Sequence, residues 1–222
     1  MTATIAIIHT TPLTVEPLKA LAGELMPGAE VVNFVDDSIL PQLRRNGGDI
    51  GAVRERLLHY AQFAEQAGAD VILNACSSVG EVVSHMRQQV SIPIVRIDEA
   101  MAEQAVQRGR RIGVAATLAT TLNPTIQLVQ NKAEAAGVSV EIVPLLADTA
   151  YQKLLAGDKA GHDAELAHAL ADLAASVDVV VLAQASMARV VAALPPDQRH
   201  KCLSSPRLGM ERVQAALAQE AA

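Results

Sequence analysis

The sequence predicts an α/β fold of two similar, pseudo-symmetric lobes, each a parallel sheet flanked by helices, with a functional cleft between them. Three observations carry this. Strand-like and helix-like segments alternate along the chain, the pattern of parallel sheets joined by crossovers. The second half repeats the first. The core must also be aliphatic: half of the 222 residues are hydrophobic, yet there is no Trp and only two Tyr and two Phe. Ala, Val, Leu and Ile suit helices packed closely on a parallel sheet.

The first half begins with "TIAIIHT" (4–10), a buried strand. "VEPLKALAGELM" (15–26) follows as a helix with Thr14 as its cap, because a threonine hydroxyl can take up an unpaired backbone N–H. "AEVVNFVD" (29–36) is a second strand, and "DDSILPQLRRNGGD" a loop of turn formers and charges. "IGAVRERLLHYAQFAEQAG" (50–68) has helical apolar spacing and stops at Gly68. "DVILNAC" (70–76) is a strand, "SVGEVVSHMRQQV" a helix, and "IPIVRID" (92–98) another strand.

The order then returns. "RIGVAAT" (111–117) is a strand and "TTLNPTIQLVQNKAEAAG" (120–137) a turn and helix, with Pro124 in the first turn. "VSVEIVPL" (138–145) is a strand, "DAELAHALADLAASV" (163–177) a helix with Asp163 as its cap, and "DVVVLAQASMARVVAAL" (178–194) strand, turn and helix. "KCLSSP" (201–206) is a last strand and "RLGMERVQAALAQE" a closing helix. Laid on each other, Cys76 falls opposite Ala185, 109 positions on, and Thr10 opposite Thr117, 107 positions on. Asp70 and Asp178 begin equivalent strands. The expected lobes are residues 1–98 with 204–222, and residues 99–203.

Composition narrows the function. The net charge is −6 with no Lys/Arg run, which argues against a nucleic-acid partner. No stretch reaches the roughly 18–20 apolar residues of a membrane span. The N-terminus lacks a basic region and a small-residue cleavage site. Cys76 and Cys202 lie far apart, without a CxxC pair or a Cys/His cluster. That speaks against a disulfide framework and a metal site, and for a reducing, cytoplasmic setting. The Ala/Val-rich helices are compatible with a homo-oligomer.

Ligands of parallel sheets bind outside the carboxyl ends of the strands. This places His9–Thr11, Asn74–Ser78, Ala116–Thr121 and Gln184–Met187 at equivalent loops. Cys76 stands between a strand and a helix, where free N–H groups and the helix dipole lower a thiol pKa. Ser77 and Ser78 add hydroxyl donors, and Asn74 a side-chain amide. The competing reading of Cys76 is a small buried thiol. Ser186 and Gln184 are either substrate donors or a plain cap and a structural amide. Thr117, Thr120 and Thr121 either clamp a carboxylate or cap a helix. His9, with Thr10 beside it, and His162 are acid/base candidates by residue type, against the simpler reading of structural histidines.

"NACSSVG", "LAQASMARV" and "IPIVRIDEAM" together resemble the aspartate/glutamate/hydantoin racemase superfamily, which also takes in maleate isomerases and arylmalonate decarboxylases. The resemblance runs over nearly the whole length. It implies an enzyme without metal, pyridoxal or nicotinamide, acting on a small substrate with a carboxylate beside an acidic carbon. It implies two cysteines, one per lobe, on opposite faces of that carbon, and preorganised donors for an enediolate-like intermediate. Cys76 matches the first-lobe cysteine, and Ser77 and Ser78 its carboxylate-binding neighbours. Thr117, Thr120 and Thr121 resemble the second-lobe hydroxyl clamp, and Ser186 the hydroxyl after the second cysteine. Ala185 stands where that cysteine would.

Three readings follow. His9 or His162 supplies the second acid/base group. One thiol works alone, in a one-face proton shift, a thiol-addition isomerisation or a decarboxylation. Or the cleft binds a carboxylate without turning it over. An isomerase using Cys76 leads, with a decarboxylase-type lyase second; the lone cysteine of the decarboxylase branch lies in the second lobe, the reverse of Cys76.

Overall fold

Strand β1 (Thr4–His9) shows how the first lobe is built. Ile5–His9 are all buried, which requires cover on both faces of the sheet. The computed structural model describes residues 2–220. In it the chain continues through α1 (Val15–Leu25), β2 (Glu30–Val35), α2 (Ile39–Arg45), α3 (Gly51–Gln66), β3 (Val71–Asn74), α4 (Val82–Met86) and β4 (Ile94–Arg96). These strands form one parallel sheet in the order β2-β1-β3-β4.

The period of two sorts the side chains. Ile5, Ile7, Val71, Leu73 and Val95 pack with Leu18 and Ala22 of α1. Ala6, Ile8, Ile72 and Ile94 pack on the other face with Leu43 of α2, Val53 and Leu57 of α3 and Met86 of α4.

The second lobe runs α5 (Glu99–Arg108), β5 (Arg111–Ala116), α6 (Ala119–Ala135), β6 (Glu141–Leu146), α7 (Asp148–Leu155), α8 (Lys159–Ser176), β7 (Val179–Leu182), α9 (Pro196–Arg199) and β8 (Cys202–Ser204). Its sheet is again parallel, in the order β6-β5-β7-β8. Ala115, Val180 and Leu182 pack against Leu166, Leu170 and Leu173 of α8. The closing helix α10 (Ser205–Glu220) returns to the first lobe, where Met210 and Val213 join the α1 face. By contacts the chain divides into a unit up to Ile97 with the segment from Pro206 onward, and a unit Asp98–Ser205.

The internal repeat is visible bond by bond. Asp70 N–H donates to Thr4 O at 2.8 Å, and Asp178 N–H to Arg111 O at 2.9 Å. Each aspartate answers with its carboxylate: Asp70 accepts from Thr4 N at 2.7 Å and Asp178 from Arg111 N at 2.8 Å. At the other end, Ala75 N–H donates to Ile8 O and Ala183 N–H to Ala115 O. From β3 through the following loop the halves are therefore 108 positions apart. That corrects the alignment of Cys76 with Ala185: the residue in the position of Cys76 is Gln184, and Ser186 corresponds to Ser78.

Several local expectations change as well. The segment after Asp36 is not all loop. Ile39 and Leu43, one helical turn apart, are buried, and Asp36 ties the segment to Ser38, Arg56 and Tyr60. After Cys76 the chain makes a 3-10 turn (Ser77–Val79) before the short α4, and Ala185–Ala193 is 3-10 rather than α. Helices α5 and α7 are additions to the sequence pattern.

The helix starts differ from expectation in detail. Thr14 stands at the α1 N-cap without a side-chain capping bond. Leu118 takes the N-cap of α6, and Pro124 lies inside that helix. Asp158, accepting from Gly161 N at 2.8 Å, caps α8, so Asp163 lies inside it.

Candidate active site

The loops after β1 and β3 bring Thr10, Asn74, Cys76 and Ser78 together in the first lobe. Cys76 is extended, with φ −133° and ψ 114°, and the 3-10 turn starts at the next residue. This turns the N–H groups of Ser78 and Val79 toward its sulfur, and the hydroxyls of Thr10 and Ser78 complete a set of four donors. Asn74 Oδ1 accepts from Cys76 N at 3.2 Å and fixes the loop from below. Thr10, Ser77 and Ser78 are buried, while Cys76 is only partly so.

The expected drop in the Cys76 pKa does not occur. Burial is the largest influence and pushes the thiol above the ordinary cysteine value, although all four donors pull the other way. Removing a charge from water outweighs hydrogen bonds that would favour it. Near neutral pH Cys76 is therefore a thiol lying among donors arranged for a thiolate.

Gly80 has a steric reason to be glycine. A Cβ there would lie 2.2 Å from Arg96 Nε and 2.4 Å from Cζ. The buried Arg96 side chain thus occupies the space under the turn that carries Cys76. Sequence reasoning missed Thr10 as a partner of the thiol, the Val79 N–H and the Gly80–Arg96 contact. The arginine was visible in "IPIVRIDEAM", but no spacing rule links it to a glycine sixteen positions earlier.

His9 lies at the carboxyl end of β1, fully buried, with both ring nitrogens engaged. Nε2 lies 2.9 Å from Asn33 Oδ1, an acceptor, and Nδ1 lies 2.7 Å from Thr14 Oγ1. A neutral ring donates from Nε2 and accepts at Nδ1 from the Thr14 hydroxyl, for which Thr11 O at 3.3 Å is an alternative acceptor. Burial lowers its pKa, against the Asn33 bond. This geometry holds two loops together and leaves no ring nitrogen for a substrate.

In the second lobe the loops after β5 and β7 bring Thr117 to Gln184. Gln184 Oε1 accepts from Thr117 N at 2.6 Å and from Thr117 Oγ1 at 2.9 Å. The threonine after β1 thus meets Cys76, and the threonine after β5 meets Gln184. Ser186 is exposed, and its carbonyl accepts from Arg189 at 3.0 Å. Arg189 also pairs with Asp163, whose Oδ1 lies 2.6 Å from Nδ1 of the buried His162. His162 first and Arg189 second hold the Asp163 carboxyl below the usual range. Thr120 is half-buried at the start of α6, and Thr121 is buried behind it.

Among the described residues no group of three or more His, Cys, Asp or Glu could hold a metal ion. Nor is any described helix long and apolar enough to cross a membrane.

Comparison with known proteins decides the family. The Asp/Glu/Hydantoin racemase family model matches residues 6–213. The chain belongs to this family. It is thereby placed with the isomerase class of enzymes. A glutamate racemase of Gloeobacter violaceus is 29% identical over 218 residues, covering 82% of this chain and 77% of that protein. A glutamate racemase isoform from Bacillus anthracis shares the fold with a TM-score of 0.73 at 15% identity, over 98% of this chain and 82% of the other. An aspartate racemase homologue from Pyrococcus horikoshii does so at 0.73 and 17% identity, over 98% and 100%. This racemase-family chain carries a thiol in one of its two equivalent loops and a glutamine in the other.

Proposed function

We propose that the protein is a cofactor-independent isomerase of the racemase type, acting at a carbon alpha to a carboxylate with Cys76 as its acid/base group. The observation that carries this is the thiol at the end of β3 with four donors on its sulfur, in a chain of the racemase family. As a thiolate, Cys76 takes the α-proton, and the electron pair left on carbon spreads into the carboxylate as an enediolate. The thiol so formed can return that proton only to the same face, so inversion follows when water protonates the opposite face of the planar enediolate. Because the raised pKa makes the thiol the resting form near neutrality, its proton passes to water before each abstraction. Thr10 and Ser78 stabilise the thiolate during the exchange.

Gln184 in the matching position of the second lobe does not titrate as an acid or base, so Cys76 is the thiol on which activity depends. Two of the relatives named above are glutamate racemases, which favours an isomerase over a decarboxylase-type lyase. Pure carboxylate binding needs no thiol and is the weaker reading.

The test is exchange in deuterated water. Aspartate, glutamate, hydantoins and arylmalonates are incubated with the protein, and α-deuterium, optical inversion and carbon dioxide are followed. Deuterium enters at least one substrate and is lost in Cys76→Ser. Carbon dioxide release would put the lyase first, and exchange persisting in Cys76→Ser would remove Cys76 from the chemistry.

A further inference from the structure

The side-chain amide of Asn74 is only half used. Its Oδ1 accepts from Cys76 N, while its Nδ2 is buried without a partner among the described residues. Exchanging the two ends would set an NH2 group against the Cys76 N–H, so the bond fixes the orientation. Asn74 is 1% exposed, and a buried donor without an acceptor is a standing cost to folding.

The second lobe shows that the fold does not require it. Leu182 occupies the same place, paired with Ser204 on β8 as Asn74 is paired with Arg96 on β4. Both lobes build the same strand end, one with an aliphatic side chain and one with an amide whose donor is unmet. Asn74 and Arg96, in register on neighbouring strands, also lie on one face of the sheet.

We propose that the first lobe contains a carboxylate subsite in which Asn74 Nδ2 donates to an oxygen of the ligand on which Cys76 acts. This rests on the function proposed above and adds to it the group that holds the ligand's charge. A carboxylate fits because its oxygens only accept and because bonds to charged acceptors are the strong ones.

The subsite can be read without turnover. In a Cys202→Ser background Cys76 is the single thiol. It is alkylated at pH 9 with iodoacetate, which carries a carboxylate on the reacting carbon, or with iodoacetamide, its neutral counterpart. In both, the sulfur bonds to carbon as iodide leaves. The ratio of the two rates is compared with that of free cysteine.

The parent protein should favour iodoacetate by about tenfold relative to free cysteine. Asn74→Ala and Asn74→Leu should each lose that preference, with the iodoacetamide rate within about twofold of the parent. The leucine variant carries the side chain that the second lobe has at Leu182 and removes the donor without adding a charge. A parent ratio equal to that of free cysteine overturns the subsite, and so does a preference that survives in the variants. A parallel fall with both reagents overturns it too, because Asn74 would then act on the thiol rather than on the anion. An enzyme that exchanges no α-proton but shows the selective loss would keep the subsite while the proposed activity fails.

Discussion

The loop after β3 and the loop after β7 have one backbone and two chemistries. Both follow a buried four-residue strand, both begin with an extended residue, at φ −133° and −128°, and both enter a 3-10 turn. In both, a threonine from the neighbouring strand end bonds that extended residue's side chain. The first loop fills the frame with Asn74, Cys76, Ser77 and Gly80 over Arg96. The second fills it with Leu182, Gln184, Ala185 and Ala188 over Ser204. The frame is therefore a property of the fold, and the side chains that differ mark what the first lobe adds to it.

The strongest way to break this comparison is to write one loop into the other. Cys76→Gln places the second-lobe side chain in the first-lobe frame. Thr10 can then bond an amide oxygen as Thr117 does, so the fold should survive. α-Proton exchange should fall by roughly 10²–10⁴, the span of a lost acid/base group. Gln184→Ala, which removes no titrating acid or base, should cost less than about tenfold. Equal losses in the two variants would show that the loops share the chemistry as well as the frame.

The next effect is on stability. Gly80→Ala drives a Cβ to within 2.2 Å of Arg96 Nε. Because Arg96 is buried, its guanidinium cannot simply swing into solvent. Overpacking of this kind costs about 1–3 kcal/mol. The mirror change in the second lobe, Ala188→Gly, removes a methyl group from a half-buried site and should cost about 0.5–1 kcal/mol. Urea midpoints at constant slope would separate the two. A Gly80→Ala variant as stable as the parent would mean that Arg96 does not hold the turn.

The order of strands and the repeat were legible because period and composition encode them: β1, β3, β5 and β7 are short apolar runs ending in turn formers. The two added helices were less so. Helix α7 is eight residues long with only Ala150 buried, so packing fixes it only weakly. The register slip at Cys76 is instructive. Matching Cys76 to Ala185 gave 109 positions, whereas the strand-initial Asp70 and Asp178 count 108 and lead to Gln184. The aspartates were the better guide because each clamps a backbone N–H at a fixed place in the sheet. His9 was visible as a residue type at a strand end. Its two bonds, to Thr14 and Asn33, were not, because they depend on how α1 and β2 pack.

The smallest effect contrasts the two cysteines. Cys76 has four donors opposing burial. For Cys202, on β8, burial alone raises the pKa, to about 11. A thiol whose folded pKa lies above its unfolded value favours the folded state in its protonated form. That contribution is complete below the ordinary cysteine value and is lost as pH rises through the folded one. Stability should therefore decline between about pH 9 and pH 11. Cys202→Ser should flatten part of this decline. The shift corresponds to at most about 2.7 kcal/mol, and because Cys202 is only half-buried, solvent screening should leave about 1 kcal/mol. Cys76→Ser should flatten another part of it, since burial raises that thiol's pKa as well, against its four donors. Urea unfolding at pH 8, 9, 10 and 11 reads both. A decline that neither variant flattens would show that burial does not hold these thiols protonated.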